Sequence, residues 1–246
     1  MIQVAVLAAL LQATDTTRWF ARLDLSAERH TRQLSSWSWT TAALGRRAGG
    51  STVITEGLVA ERFDRRDIGG SVDWYAPLGG SGYVNLRFQL APGADVIART
   101  DLSADLYRGI GGGWELSGGY RRMDYAADGV DLVALSAARY KGPWYWRGRL
   151  VVTPKAGAVS AAVSLLARRY GRTTDQLLEL QAGGGKQIVT PGAGQVDLRR
   201  TLFAAARVQR PLGIWRETHV QLGATWTSDQ GRPARYGLTL GLLRRW

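Results

Sequence analysis

The sequence predicts an all-β protein, an antiparallel up-and-down transmembrane β-barrel of about 14 strands, or 12 if two weak segments are loops. Three observations carry that expectation. Long segments alternate apolar and polar residues with period two, as side chains on a strand point to opposite faces. Compact Gly/Pro connections alternate with longer polar ones. Tryptophans recur near segment ends, while no apolar run approaches the ~18 residues of a spanning helix.

The elements follow in order. Met1 to Ala13 is apolar from Val4 to Leu11 and gives way to Thr14-Asp15-Thr16-Thr17. Residues 1–17 are therefore expected to be a signal peptide or a disordered N-terminus, with a buried strand as the alternative, and residues 18–246 the barrel. Alternating segments then fall near 18–28, 36–45, 51–62, 67–76, 82–90, 99–108, 112–122, 130–140, 143–153, 158–169, 175–187, 196–208, 214–227 and 234–246. The first is typical: Leu23, Leu25 and Ala27 oppose Arg22, Asp24, Ser26 and Glu28. Most reach ten residues, against ~5 to 6 in globular sheets, which is the length of a strand tilted across a bilayer. Ile54, Val133 and Leu135 fall on the polar parity, so facing is ambiguous there.

Turn chemistry checks the count. Ala76-Pro77-Leu78-Gly79, Gly109-Ile110-Gly111, Lys141-Gly142-Pro143 and Arg210-Pro211-Leu212-Gly213 all fall on even-numbered connections. The odd-numbered ones, Arg29 to Ser35, Met123 to Gly129, Lys186 to Asp197 and Ser228 to Ala234, are longer and more polar. That is the alternation of tight periplasmic turns with outer loops. Arg169 to Thr174 fits it least well. Trp37, Trp39, Trp74, Trp114, Trp144, Trp146, Trp226 and Trp246 are expected mostly on the apolar parity, as belts at the two membrane interfaces.

The net charge of +12 comes almost entirely from arginine, the only lysines being Lys141, Lys155 and Lys186. These cations are spread along the chain instead of gathered on one patch, which argues against nucleic acid as a partner. The absence of Cys removes disulfide scaffolds and thiolate metal sites, and no metal or cofactor is expected.

The last segment puts Tyr236, Leu238, Leu240, Leu242 and Trp246 on one face. Its ending, Thr239-x-Gly241-x-x-Arg244-x-Trp246, resembles the terminus read by the outer-membrane barrel assembly machinery, Arg244 standing where a hydrophobic or aromatic residue is usual. Together with Trp-Tyr-Ala-Pro-Leu-Gly at 74–79 and Arg-Pro-Leu-Gly at 210–213, this makes the chain resemble the YaiO family of outer-membrane β-barrel proteins over nearly its whole length after residue 17. The resemblance implies a Gram-negative outer-membrane location and a link to surface polysaccharide export or biofilm. It brings no catalytic residues.

Parity sends Arg22, Asp24, Glu28, Asp73, Asp101, Asp105, Glu115, Arg139, Glu179 and Arg235 inward, with Arg87, Arg121, Arg147, Arg149, Arg199, Arg207, Glu217 and His219 as the lumen candidates for binding. Two readings of this set stay open. As a pore, the lumen would pass polysaccharide or, through its excess of arginine, anionic solutes. As a brace, Arg and Asp/Glu on neighbouring strands would form ion-pair ladders in a structural or adhesive barrel. Arg29, Arg32, Arg65 and Arg66 in its loops would then pair phosphates of lipopolysaccharide and outer-membrane lipids. A lipid-modifying hydrolase is a third reading, and needs a nucleophile and base held together. Only His30 and His219 offer an imidazole, the latter in a Glu217-x-His219 pair. There is no Gly-x-Ser-x-Gly or His-Glu-x-x-His, and Gly111-Gly112-Gly113 leads into a strand and reads as a turn, so no catalytic residue is expected.

Overall fold

The computed structural model describes residues 19–31, 36–62, 64–155, 158–189, 197–213 and 215–246. The segment 1–17, read as a signal peptide, and Arg32 lie outside them. The strands are β1 (Trp19–His30), β2 (Trp37–Ala48), β3 (Ser51–Arg62), β4 (Arg65–Pro77), β5 (Gly82–Leu90), β6 (Thr100–Gly111), β7 (Trp114–Asp124), β8 (Gly129–Lys141), β9 (Trp144–Lys155), β10 (Ala158–Tyr170), β11 (Leu177–Val189), β12 (Asp197–Leu212), β13 (Trp215–Asp229) and β14 (Arg235–Arg245). Each pairs antiparallel with its sequence neighbours, and β1 pairs with β14 to close the barrel. Hydrocarbon offers no water to hydrogen-bond a free strand edge, so only this closure leaves every strand paired on both sides.

Local chemistry sets the hairpins. Gly49 and Gly50 have φ of 58° and 81°, and Gly112 and Gly113 have 59° and 77°. Two successive positive φ values match the twist of a two-residue hairpin, and only glycine adopts them without strain. These tight turns share one end of the barrel with both closing termini, Trp19 and Trp246. Longer connections such as 91–99 and 230–234 share the other. The tight end is therefore periplasmic.

Side chains alternate across the wall. Leu23, Leu25, Leu165, Leu202, Leu238 and Leu240 are exposed on the outer face, where lipid replaces water. Several facings differ from expectation. Trp37 and Trp39 point into the barrel, because their parity opposes that of the outward Ala42 and Leu44 on the same strand. Ile54 points inward, whereas Val133 and Leu135 face lipid. The inner face of β8 is nonetheless apolar too, carrying Val130, Leu132, Ala134 and Ala138. The tryptophan belt is one-sided: Trp19, Trp74, Trp114, Trp144, Trp146, Trp215 and Trp246 stand exposed at the periplasmic end, whereas Trp226 lies toward the outer end with the exposed Phe88, Tyr120 and Tyr236.

Candidate functional site

The lumen is the candidate site, and most of its inward charges are paired. Glu56 on β3 accepts from Arg22 of β1 at 3.0 Å and Arg87 of β5 at 3.4 Å. Arg22 also meets Asp24 at 2.7 Å, and Arg87 meets Asp73 at 2.7 Å. Asp101 receives Arg121 from the neighbouring strand. Asp105 on β6 receives Arg149 of β9 at 3.6 Å, the pair spanning β7 and β8, and Asp105 leans over Gly119 of β7, where any Cβ would collide with its carboxylate. Glu179 on β11 takes Arg168 on one side and Arg207, at 2.9 Å, on the other. At the outer end Arg235 is shared by Glu28 and Asp229.

Between these networks the inner wall is polar, small and half-exposed: Ser26 and Thr239 hydrogen-bond at 2.9 Å, and Gln181, Gln221 and Thr225 share the same zone. Rings and apolar side chains fill the periplasmic end. Phe20, Ala43, Ile54, Tyr75 and Leu243 form one buried cluster there, Tyr83 stacks on Tyr107 at 4.3 Å, and Tyr140 lies 4.6 Å from Tyr145.

Both mouths carry an inward-folded segment. The outer loop 91–99 buries Ala94, Val96, Ile97 and Ala98, with Ala94 and Ile97 packed against the inward Leu58, Ala60 and Trp39. The buried carboxylate of Asp67 accepts the backbone N–H groups of Asp95, Val96 and Ile97, at 2.6 Å from Val96, and Arg65 pairs with Asp95. At the periplasmic mouth the turn 171–176 brings in Asp175, whose carboxylate takes Arg245 of β14 at 2.6 Å and whose carbonyl accepts from Gln209 at 2.9 Å.

Of the lumen candidates, Arg87, Arg121, Arg149 and Arg207 point inward and sit in these networks. Arg199 pairs with Asp197 at 2.8 Å near the outer mouth. Arg147 points inward with no carboxylate within 4 Å among the described residues. His219 is buried at the periplasmic end, opposite Leu243. Glu217 is not beside it: the register breaks between Pro211 and Leu212, so β13 carries extra residues there and Glu217 is exposed. Arg139 is not in the lumen either, but stands outside against Trp114, 5.1 Å from the ring centroid. Sequence reasoning passed over Glu56, Asp67, Arg168 and Asp175. Parity alone would have recovered the first three, and the Ala/Val/Ile content of 91–99 marks it as unlike a solvated loop.

A family model described as YaiO membrane beta barrel domain matches residues 21–188. The chain belongs to that family. No curated protein matches this chain in sequence. Among solved structures it is similar to a bacterial polysaccharide outer membrane secretin, with 9% identity and a TM-score of 0.57, over 94% of this chain and 99% of that one. It is also similar to Omp33 of Acinetobacter baumannii, with 8% identity and a TM-score of 0.55, over 94% and 98%. Salmonella typhi OmpF in complex with daunomycin gives 7% identity and 0.50, over 93% and 97%. These likenesses are of fold: the YaiO barrel is a porin-like barrel of the Gram-negative outer membrane.

Proposed function

We propose that the barrel is a gated conduit for neutral, hydroxyl-rich solutes such as sugar chains. The observation that carries this reading is the pairing of inward arginines with carboxylates beside a half-exposed wall of Ser, Thr and Gln. Paired charges give little net field for selecting anions, whereas hydroxyl and amide groups exchange hydrogen bonds with a sugar as readily as with water. The tyrosine rings at the periplasmic end offer stacking faces. Loop 91–99 and turn 171–176 act as the gates.

Planar-bilayer recording and liposome swelling test the reading together. Low conductance with little ion preference, and swelling with neutral oligosaccharides that increases when Asp67→Ala and Arg245→Ala loosen the gates, is the expected result. Strong anion selectivity would replace it with an anion pore. A folded barrel that neither conducts nor swells, even as the double variant, would favour a structural or adhesive role, a second reading that the covered mouths themselves support.

We infer no catalytic role. His30 packs edge-on against Trp37 at the outer end, 5.1 Å between centroids, and His219 lies at the opposite end, so no single site joins them. The outward face of Tyr236, Leu238, Leu240 and Leu242, with exposed Trp246, supports recognition by the barrel assembly machinery.

A further inference from the structure

The outer wall is not uniformly convex. A hollow of about 910 Å³, almost wholly apolar, runs across the lipid-facing side from β7 to β14. Strand register builds its floor. Gly148 pairs with Leu165, Leu165 with Ala182, and Ala182 with Ala204, so three of the four residues in this row are glycine or alanine, while Ala206 and Ala224 pair in the next. Trp114, Arg139 and Trp146 bound it at the periplasmic end, and Trp226 and Tyr236 toward the outer end.

Outward cations stand at both ends of the wall, and those of the periplasmic end lie at the foot of this hollow. Six of the seven strands that run toward the periplasm carry an exposed arginine there: Arg46, Arg108, Arg139, Arg169, Arg210 and Arg244. Three of them lie opposite a tryptophan on the next strand, with centroid distances of 5.2 Å for Arg46 and Trp19, 5.1 Å for Arg139 and Trp114, and 5.9 Å for Arg169 and Trp144. Among the described residues the one exposed acid at this rim is Glu217.

We propose that this wall holds one anionic diacyl phospholipid of the periplasmic leaflet, its phosphate on Arg139 and its acyl chains in the hollow. Charge and shape choose the occupant. An unfilled hollow in hydrocarbon forfeits dispersion contacts along its whole lining, so acyl chains are drawn into it. The guanidinium at its foot sits at headgroup depth and matches a phosphate. A second copy of this barrel would fit poorly, since it would set Arg139, Arg169, Arg210 and Arg244 against cations of the same kind.

Native mass spectrometry of the purified, detergent-solubilised barrel tests this, titrated with phosphatidylglycerol, with phosphatidylcholine of identical chains, or with lipid A. The expected result is one phosphatidylglycerol retained in preference to phosphatidylcholine, the preference falling about fivefold in Arg139→Gln, as one cation near a membrane surface is worth ~1 kcal/mol. Ala206→Phe and Ala182→Leu, which fill the hollow at separate positions, are expected to abolish retention while the heat-modifiable mobility of the folded barrel persists. Equal retention of the two phospholipids, or retention indifferent to whichever filling variant folds, overturns the proposal. So does preference for lipid A, or a dimer in place of a lipid adduct. None of these readouts depends on whether the lumen conducts.

Discussion

The carboxylate of Asp67 holds the amide of Val96 at 2.6 Å, fastening an outer loop to the inside of the barrel wall. The same oxygen accepts Ile97 at 2.9 Å. Hydrogen bonds to a charged acceptor contribute ~1.5 to 3 kcal/mol each, so Asp67→Ala is expected to release the loop while leaving the strands paired. Amide exchange at Val96 and Ile97 should accelerate on the order of 100-fold, which corresponds to about 3 kcal/mol. Unchanged protection would mean that apolar packing of Ala94 and Ile97 fixes the loop unaided.

Glu56 is shared by two guanidiniums that have little access to water. Glu56→Gln removes the charge between them while Arg22 keeps Asp24 and Arg87 keeps Asp73, which is expected to cost roughly 1.5 to 3 kcal/mol. Urea unfolding in vesicles reads the stability. The reversal potential across a salt gradient should move toward anions at the same time. A variant as stable and as unselective as wild type would show that the network contributes neither strength nor neutrality.

Gly119 and Gly118 are adjacent on β7 but face opposite ways. A methyl at Gly119 would meet Asp105, whereas at Gly118 the nearest atom is a Leu135 methyl 3.6 Å away on the lipid side. Gly119→Ala is thus expected to displace Asp105 from Arg149 and cost about 1 to 3 kcal/mol, with Gly118→Ala nearly neutral. Equal unfolding midpoints for the two variants would count against the reach of Arg149 across β8 and β7 to Asp105.

Backbone hydrogen bonds of 3.1 Å run both ways between Trp19 and Trp246, completing the ladder of β1 and β14 at the periplasmic edge. A wall without free edges resists detergent until heated. Unboiled protein should therefore migrate faster than boiled protein on a detergent gel, and identical mobility would contradict closure.

Strand number and spacing were legible because alternation with period two continues for ten residues or more, and because Gly-Gly and Pro-Leu-Gly turns fall in phase. Legibility failed where that contrast vanished. Val133 and Leu135 share β8 with inward Val130 and Leu132, so both faces are apolar and parity has nothing to separate. Trp37 and Trp39 alternate with Ser38 and Thr40 and so resemble a lipid face until Ala42 and Leu44 are counted. Glu217 was lost to a register break that no periodic count foresees. Contacts between distant strands, such as Arg149 with Asp105 or Arg245 with Asp175, depend on barrel curvature and lie beyond local pattern.

The order of the strands also bears on how the wall comes together. Every pairing except one joins neighbours in sequence, and each such hairpin closes a short loop. The seam of β1 and β14 joins Trp19 to Trp246, and closing so long a chain costs on the order of 5 kcal/mol of loop entropy. That cost is met only once the intervening hairpins have shortened the effective loop, so the seam is expected to zip last. Pulse-labelled exchange during refolding should find the amides of Leu23 and Leu25 on β1 gaining protection after those of β7 and β8. Early protection of the seam would mean that assembly starts from the two ends instead.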